Sequence, residues 1–173
     1  FLSAFVLGGA LAQFPVGWLA DKFDRRWVLI WLSAASMLSC AVTVMSAGMG
    51  TQAIFLAATF FGLTTFPIYS VAASHAHDFA SSSERVELSA ALMFWFAVGA
   101  IFAPYIASVL IEGFGPAALF TMISVGHGVL VLFGLTRMRA RPTATKRTPY
   151  VYAPRTSFTI GRLMRRSRER DAP

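Results

Sequence analysis

Five stretches of this chain, 1–20, 27–47, 53–74, 88–111 and 116–136, contain no Asp, Glu, Lys or Arg. A bilayer hydrocarbon core is about 30 Å thick, and at about 1.5 Å per residue a helix needs about 20 residues to cross it. Each stretch has that length. Without water, every backbone amide must find its partner inside the spanning segment, which favours helices. Composition agrees, with 56% hydrophobic and 13% charged residues and a mean hydropathy of +0.61. That is more apolar than one soluble core of this size requires. The expected fold class is all-α, a polytopic transmembrane helix bundle over residues 1–139 that partners the lipid bilayer.

The breaks carry turn chemistry: Gly48, Gly50 and Thr51; Asp78 through Glu84 with three serines; and Gly113, Gly115 and Pro116. Fifteen Lys and Arg against eight Asp and Glu give a net charge of +7, and the basic residues are clustered. Threading the chain back and forth puts Lys22, Arg25, Arg26, Arg85, Arg137, Arg139 and Arg141 on one side and leaves only Glu112 on the other. The positive-inside rule makes the basic side cytoplasmic. Cys40, the single cysteine, lies within an apolar run and reads as packing. The chain opens at Phe1 without a methionine or a basic stretch before its apolar run, which reads as a truncated start and no signal peptide.

One loop concentrates charge. In "GWLADKFDRR", Gly17 to Arg26, five of the last six side chains are ionised. The hydrocarbon rejects such charges at about 2.5–3.5 kcal/mol each, so they mark a loop. The stretch resembles the loop signature of the major facilitator superfamily, G-x-L-[AS]-D-[RK]-x-G-[RK]-[RK], with Gly17, Leu19, Ala20, Asp21, Lys22, Arg25 and Arg26 in place. Asp24 stands where that pattern usually has glycine. Aspartate suits a turn and can supply its own side-chain bond. Further on, "FPIYSVAASHAHD" (Phe66 to Asp78), "VGAIFAPYIAS" (Val98 to Ser108), "GPAALF" (Gly115 to Phe120), "RMRARP" (Arg137 to Pro142) and "PRT" (Pro154 to Thr156) resemble the end of the YcaD-like branch of that superfamily.

The resemblance implies that the spans are helices 8 to 12 of a twelve-helix fold, its C-terminal half. The missing N-terminal half of the same chain would then be a partner. It also implies a multi-pass protein of the cell inner (plasma) membrane with a cytoplasmic tail. Its function would be secondary active transport of a small organic solute by alternating access, not enzymatic, with no cofactor and no catalytic residue. Gly17, Asp21, Lys22, Asp24, Arg25 and Arg26 form the conformational-switch loop, which in the family holds the cytoplasmic side closed in the outward-facing state. Helices 8, 10 and 11 border the central cavity there, which nominates Gln13, Thr65, Tyr69, Trp95 and Tyr105 as cavity-lining, with Thr64 and Ser70 nearby. No acid lies within the spans, so a proton-coupling group is expected in the missing part.

Physically, Asp21 ends the first span where the helix beginning near Val86 is expected to pack. A carboxylate near a helix N-terminus gains about 0.3–1 kcal/mol. Lys22, Arg25 and Arg26 are expected to bridge neighbouring helix ends. A cluster of that strength biases a two-state equilibrium without locking it.

Pro15, Pro67 and Pro104 fall inside spans and predict kinks. Ala4, Gly8 and Ala12, and Ala35, Ser39 and Thr43, recur at fourfold spacing and allow close helix contact. His75 and His77 next to Asp78 support an alternative, a membrane-embedded enzyme or scaffold with a His-based site. Two positions apart, however, they point about 200° away from each other on a helix, so no metal site is assigned. A helix-end role fits them better. His127, mid-span in the last helix, reads as a neutral histidine bonded to a neighbour. The basic tail, 140–173, has no apolar periodicity and predicts a disordered or weakly helical segment. Its "GRLMRRSRER" (Gly161 to Arg170) is suited to anionic lipid headgroups and not, beside five spans, to nucleic acid.

Overall fold

The computed structural model of the chain describes residues 1–140; the basic tail lies, from residue 141 onward, outside the described residues. Six helices follow one another: α1 (Leu2–Lys22), α2 (Arg25–Met45), α3 (Thr51–Thr65), α4 (Pro67–His77), α5 (Arg85–Phe114) and α6 (Ala117–Ala140). They make five segments long and apolar enough to cross a membrane, because α3 and α4 together form one segment, Thr51–His77. Among the described residues there is no strand.

The third segment is divided at Phe66–Pro67. Phe66 keeps helical angles and bonds back to Gly62 O at 3.2 Å. Pro67 has no N–H to continue the ladder, so α4 restarts there with proline in its first turn. Pro15 and Pro104, by contrast, sit inside the unbroken helices α1 and α5. The thirty residues of α5 span about 45 Å, so α5 outruns a hydrocarbon core of about 30 Å.

α2 is central, packing on α1, α3, α4 and α6, while α1 also packs on α3 and α4, and α5 meets, among the described helices, only α4 and α6. At the α1–α3 crossing the backbones touch: a methyl added to Gly8 would strike the Thr59 carbonyl, and one added to Gly62 would strike the Phe5 carbonyl. Buried Ala4 and Ala12 flank that crossing, and Phe5 packs on Phe61 with ring centroids 5.1 Å apart. Small residues allow this approach, where dispersion replaces the hydrophobic effect that lipid does not supply.

α2 turns a row of small and hydroxyl side chains inward, with Ser33, Ser36, Ser39, Cys40 and Thr43 buried and Ala35 half-buried. Two of their hydroxyls bond back along the helix: Ser39 donates to Ser36 O at 2.8 Å, and Thr43 to Ser39 O at 2.8 Å. Across to α3, Ser39 Oγ and Thr64 Oγ1 lie 3.0 Å apart, and Thr65 donates to Ser36 Oγ at 3.3 Å.

Gly50, with φ of 95°, opens α3, and Gly115, with φ of 83°, closes α5. Before α5, Ser81 donates to the Glu84 carboxylate from both its hydroxyl, at 2.6 Å, and its amide, at 3.0 Å. The hydroxyl bond, then the amide bond, hold the Glu84 carboxyl below its usual pKa.

Candidate functional site

The signature loop connects two long helices through only Phe23 and Asp24. Asp24 caps α2, its Oδ1 accepting from the Arg26 amide at 3.0 Å, with an ordinary φ of −61°. No left-handed angle is needed at this position, so aspartate replaces the usual glycine without strain and adds a cap bond. The same carboxylate takes the Arg26 guanidinium, Nη2 to Oδ2 at 3.0 Å. Lys22 Nζ sits 4.0 Å above the Trp18 ring, a cation–π contact that keeps its charge beside an apolar surface.

Arg25 reaches furthest. Its Nη1 donates to Asp78 Oδ1 at 2.6 Å and to the Ser74 carbonyl at 3.0 Å, while its Nη2 donates to Asp21 Oδ1 at 3.1 Å. One guanidinium at the start of α2 therefore joins the end of α1 to the end of α4. Asp78 is the C-cap of α4, where the helix dipole disfavours a carboxylate. Arg25 neutralises Asp78 and adds a second bond to the Ser74 carbonyl, which also accepts from the Asp78 amide at 3.2 Å.

The expected approach of Asp21 to the helix beginning near Val86 does not occur. α1 and α5 make no contact, and α4 packs on each of them, so Asp21 meets Arg25 instead. Of the three basic residues expected to bridge helix ends, Arg25 joins α1 and α4. A methyl on Gly17 would meet no atom within 4 Å.

The cavity-lining candidates divide. Ser70 donates to Gln13 Oε1 at 3.2 Å, tying α4 to α1 beside a cleft of about 190 Å³ that runs down to Asp21 and Arg25. Thr65 is engaged in the α2–α3 seam. Tyr69 leans on α5, its hydroxyl 3.9 Å from Met93 Sδ and its ring edge-on to Phe96 at 5.5 Å. Trp95 and Tyr105 stand 69% and 71% exposed on α5, outside the cleft.

His75 sets its ring edge-on to Phe79, centroids 5.2 Å apart, while His77 Nε2 lies 3.4 Å from Ser89 Oγ on α5. The two imidazoles thus take different partners, and among the described residues no group of three or more His, Cys, Asp or Glu side chains could hold a metal. His127 is buried on α6, and its Nδ1 lacks the expected hydrogen-bond partner among the described residues.

Asp78 is the member that local sequence reading leaves out of the clasp. Its signal is an acid at a helix C-terminus on the basic side of the membrane, a placement that calls for a cation.

Five apolar segments, bundled and pinned at one end by a charged loop, define a multi-pass membrane protein. The chain matches the family model of the Major Facilitator Superfamily over residues 1–169 and belongs to that superfamily. Among its relatives, the uncharacterised MFS-type transporter YcaD of Salmonella typhi is 30% identical over 143 residues, covering 82% of this chain and 36% of that protein. YcaD of Salmonella paratyphi B is 32% identical over 125 residues, covering 72% and 31%. The chain therefore spans about a third of the length of the curated relatives it matches. The POT family transporter PepTSo, solved in meso, superposes with a TM-score of 0.69 at 21% identity, over 92% of this chain and 32% of that one, and shares the fold.

Proposed function

We propose that the chain is part of a secondary active transporter that moves a small organic solute across the cell inner membrane by alternating access. In this reading its helices are 8 to 12 of the twelve, the clasp end and the tail are cytoplasmic, and the preceding half supplies the opposing wall and the coupling ion's residue. The observation that carries it is Arg25, whose single guanidinium bonds α1, α4 and the start of α2 together at one end of the bundle. Such a clasp biases one arrangement of three helix ends by a few bonds that can be exchanged, which suits a rocking two-state device. The apolar face of α1 bearing Leu7, Leu11, Phe14 and Trp18 is exposed and is available to the other half of the protein. Gln13 and Tyr69 are the solute-facing candidates nearest the clasp, with Trp95 and Tyr105 completing the wall once the other half is present.

The test uses the full-length protein. Asp21→Asn is expected to abolish solute uptake or efflux in cells expressing it while leaving membrane insertion intact; normal transport by that variant overturns the switch role. A thiol label at Phe23→Cys and one in the tail are expected to report the same compartment.

A further inference from the structure

A second cavity lies among α2, α4 and α6, on the other side of α2 from Asp21, with a volume of about 280 Å³. Its walls run from Arg26 to Ser33 on α2, from Ile68 to His75 on α4 and from Leu130 to Arg137 on α6. Each run covers seven residue steps, so the slot is about 10 Å deep. Each run also has its basic side chain at the same end, where α2 begins and α4 and α6 finish. The rest of the lining is apolar but for Ser33, and Gly134 lets Ile30 pack close to α6 at the slot's edge, 3.0 Å from where a methyl would stand.

We propose that this slot binds an anionic phospholipid from the leaflet at the arginine end, its phosphate held among Arg26, Arg137 and His75 and one acyl chain entering between the helices. Charge complementarity selects the anion. Arg26 is balanced by Asp24, whereas Arg137 is exposed and has no acidic partner among the described residues, so the mouth carries net positive charge. A basic mouth above an apolar floor matches a molecule with a charged head and a hydrocarbon tail, and basic pockets between spanning helices hold acidic headgroups. Leu130 and Phe133, lining the slot, are exposed on the outer face of the bundle, which puts the opening within reach of lipid. The volume is at the bottom of the usual ligand-pocket range of about 300 Å³ upward, enough for part of one chain.

The full-length protein, purified in detergent, is offered equal amounts of phosphatidylglycerol and phosphatidylcholine with matched chains, and bound lipid is counted by native mass spectrometry. The wild type is expected to retain phosphatidylglycerol preferentially. Arg137→Gln, on an exposed helix surface, is expected to weaken that lipid about fivefold, the equivalent of one basic residue at a membrane surface. Ala72→Phe, which fills the slot and leaves every arginine in place, is expected to remove the preference. Equal retention of both lipids by the wild type overturns the proposal. So does a preference that survives Ala72→Phe, which assigns it to the basic tail, and so does competition by glycerol phosphate, which assigns the site to a soluble anion. None of these results depends on transport, so the transporter reading stands or falls separately.

Discussion

Arg25 has two carboxylate partners in different surroundings, and the difference sets a measurable inequality. The Arg25 and Asp78 side chains are 11% and 7% exposed, whereas Asp21 is 39% exposed. Removing one partner of a buried ion pair costs about 3–5 kcal/mol, because the remaining charge loses its compensation. Asp21 stays on Nη2 when Asp78 is lost, so Asp78→Ala should fall at the lower end, near 3 kcal/mol. Asp21→Ala leaves the 2.6 Å bond to Asp78 intact and removes a half-exposed pair worth about 0.2–1 kcal/mol. The two variants should therefore differ by about 2 kcal/mol, roughly thirtyfold in the unfolding constant. The assay is reversible denaturant unfolding of the full-length protein in mixed micelles, extended to double-mutant cycles with Arg25→Gln. Coupling of about 1.5–3 kcal/mol is expected for Arg25 with Asp78, as for a hydrogen bond between charged groups, and under about 1 kcal/mol for Arg25 with Asp21. Equal costs for the two alanine variants, or a larger coupling to Asp21, would refute the assignment of Asp78 as the principal partner.

Three further outcomes follow from the packing. Gly62→Leu pushes a side chain into the Phe5 backbone and should cost at least about 1–3 kcal/mol, the range typical of overpacking, read as a lower thermal midpoint in detergent; Gly17→Ala, in open space within α1, should leave that midpoint unchanged or raise it, by up to about 1 kcal/mol of helix propensity. Asp24→Ala removes the α2 cap and should lower stability by about 0.5–2 kcal/mol, with Asp24→Gly milder by the same measurement. The Ser39–Thr64 contact should show a coupling of about 0.6 kcal/mol in a Ser39→Ala, Thr64→Val cycle, the average for hydrogen bonds between membrane helices.

Features set by chain-local physics were legible in the sequence. The five spans followed from the absence of charge over a bilayer's width, and the side-chain bond of Asp24 followed from aspartate's habit in turns. The small residues of α1 announced a close crossing, but not that Gly62 on α3 would meet Gly8. Pairings between distant segments were not legible. Arg25 and Asp78 are 53 positions apart, and no periodicity along one helix says which helix lies beside it. The same limit explains the misplaced neighbour of Asp21: α4 takes the position against α1 that the sequence had suggested for α5. Thr65 illustrates a further difficulty. α3 is apolar almost all round, so its sequence gives no sign of which side meets α2 and which meets a cavity.

The division of the third segment at Pro67 separates two kinds of attachment. α3 is fixed by contacts at the level of the backbone, its Gly62 against Phe5 and its Thr59 against Gly8 of α1. Such contacts have no second arrangement of similar energy, since sliding one helix drives carbonyls into side chains. α4 is joined by the Arg25 clasp at its end, by the Gln13–Ser70 bond along its side and by Val71, which is buried against Ala20 of α1 and Val28 of α2. The Gln13–Ser70 bond is exposed, and water can replace its partners at modest net cost, whereas the buried Arg25–Asp78 pair is the costlier bond to release. The missing amide at Pro67 removes a bond that would otherwise make the two helices bend as one. A segment seated by backbone contact in one half and held at its far end by side chains has its freedom at that far end. Removing the Arg25 guanidinium should therefore loosen the end of α4 beyond Val71, which still packs on Ala20 and Val28, while α3 remains seated on α1.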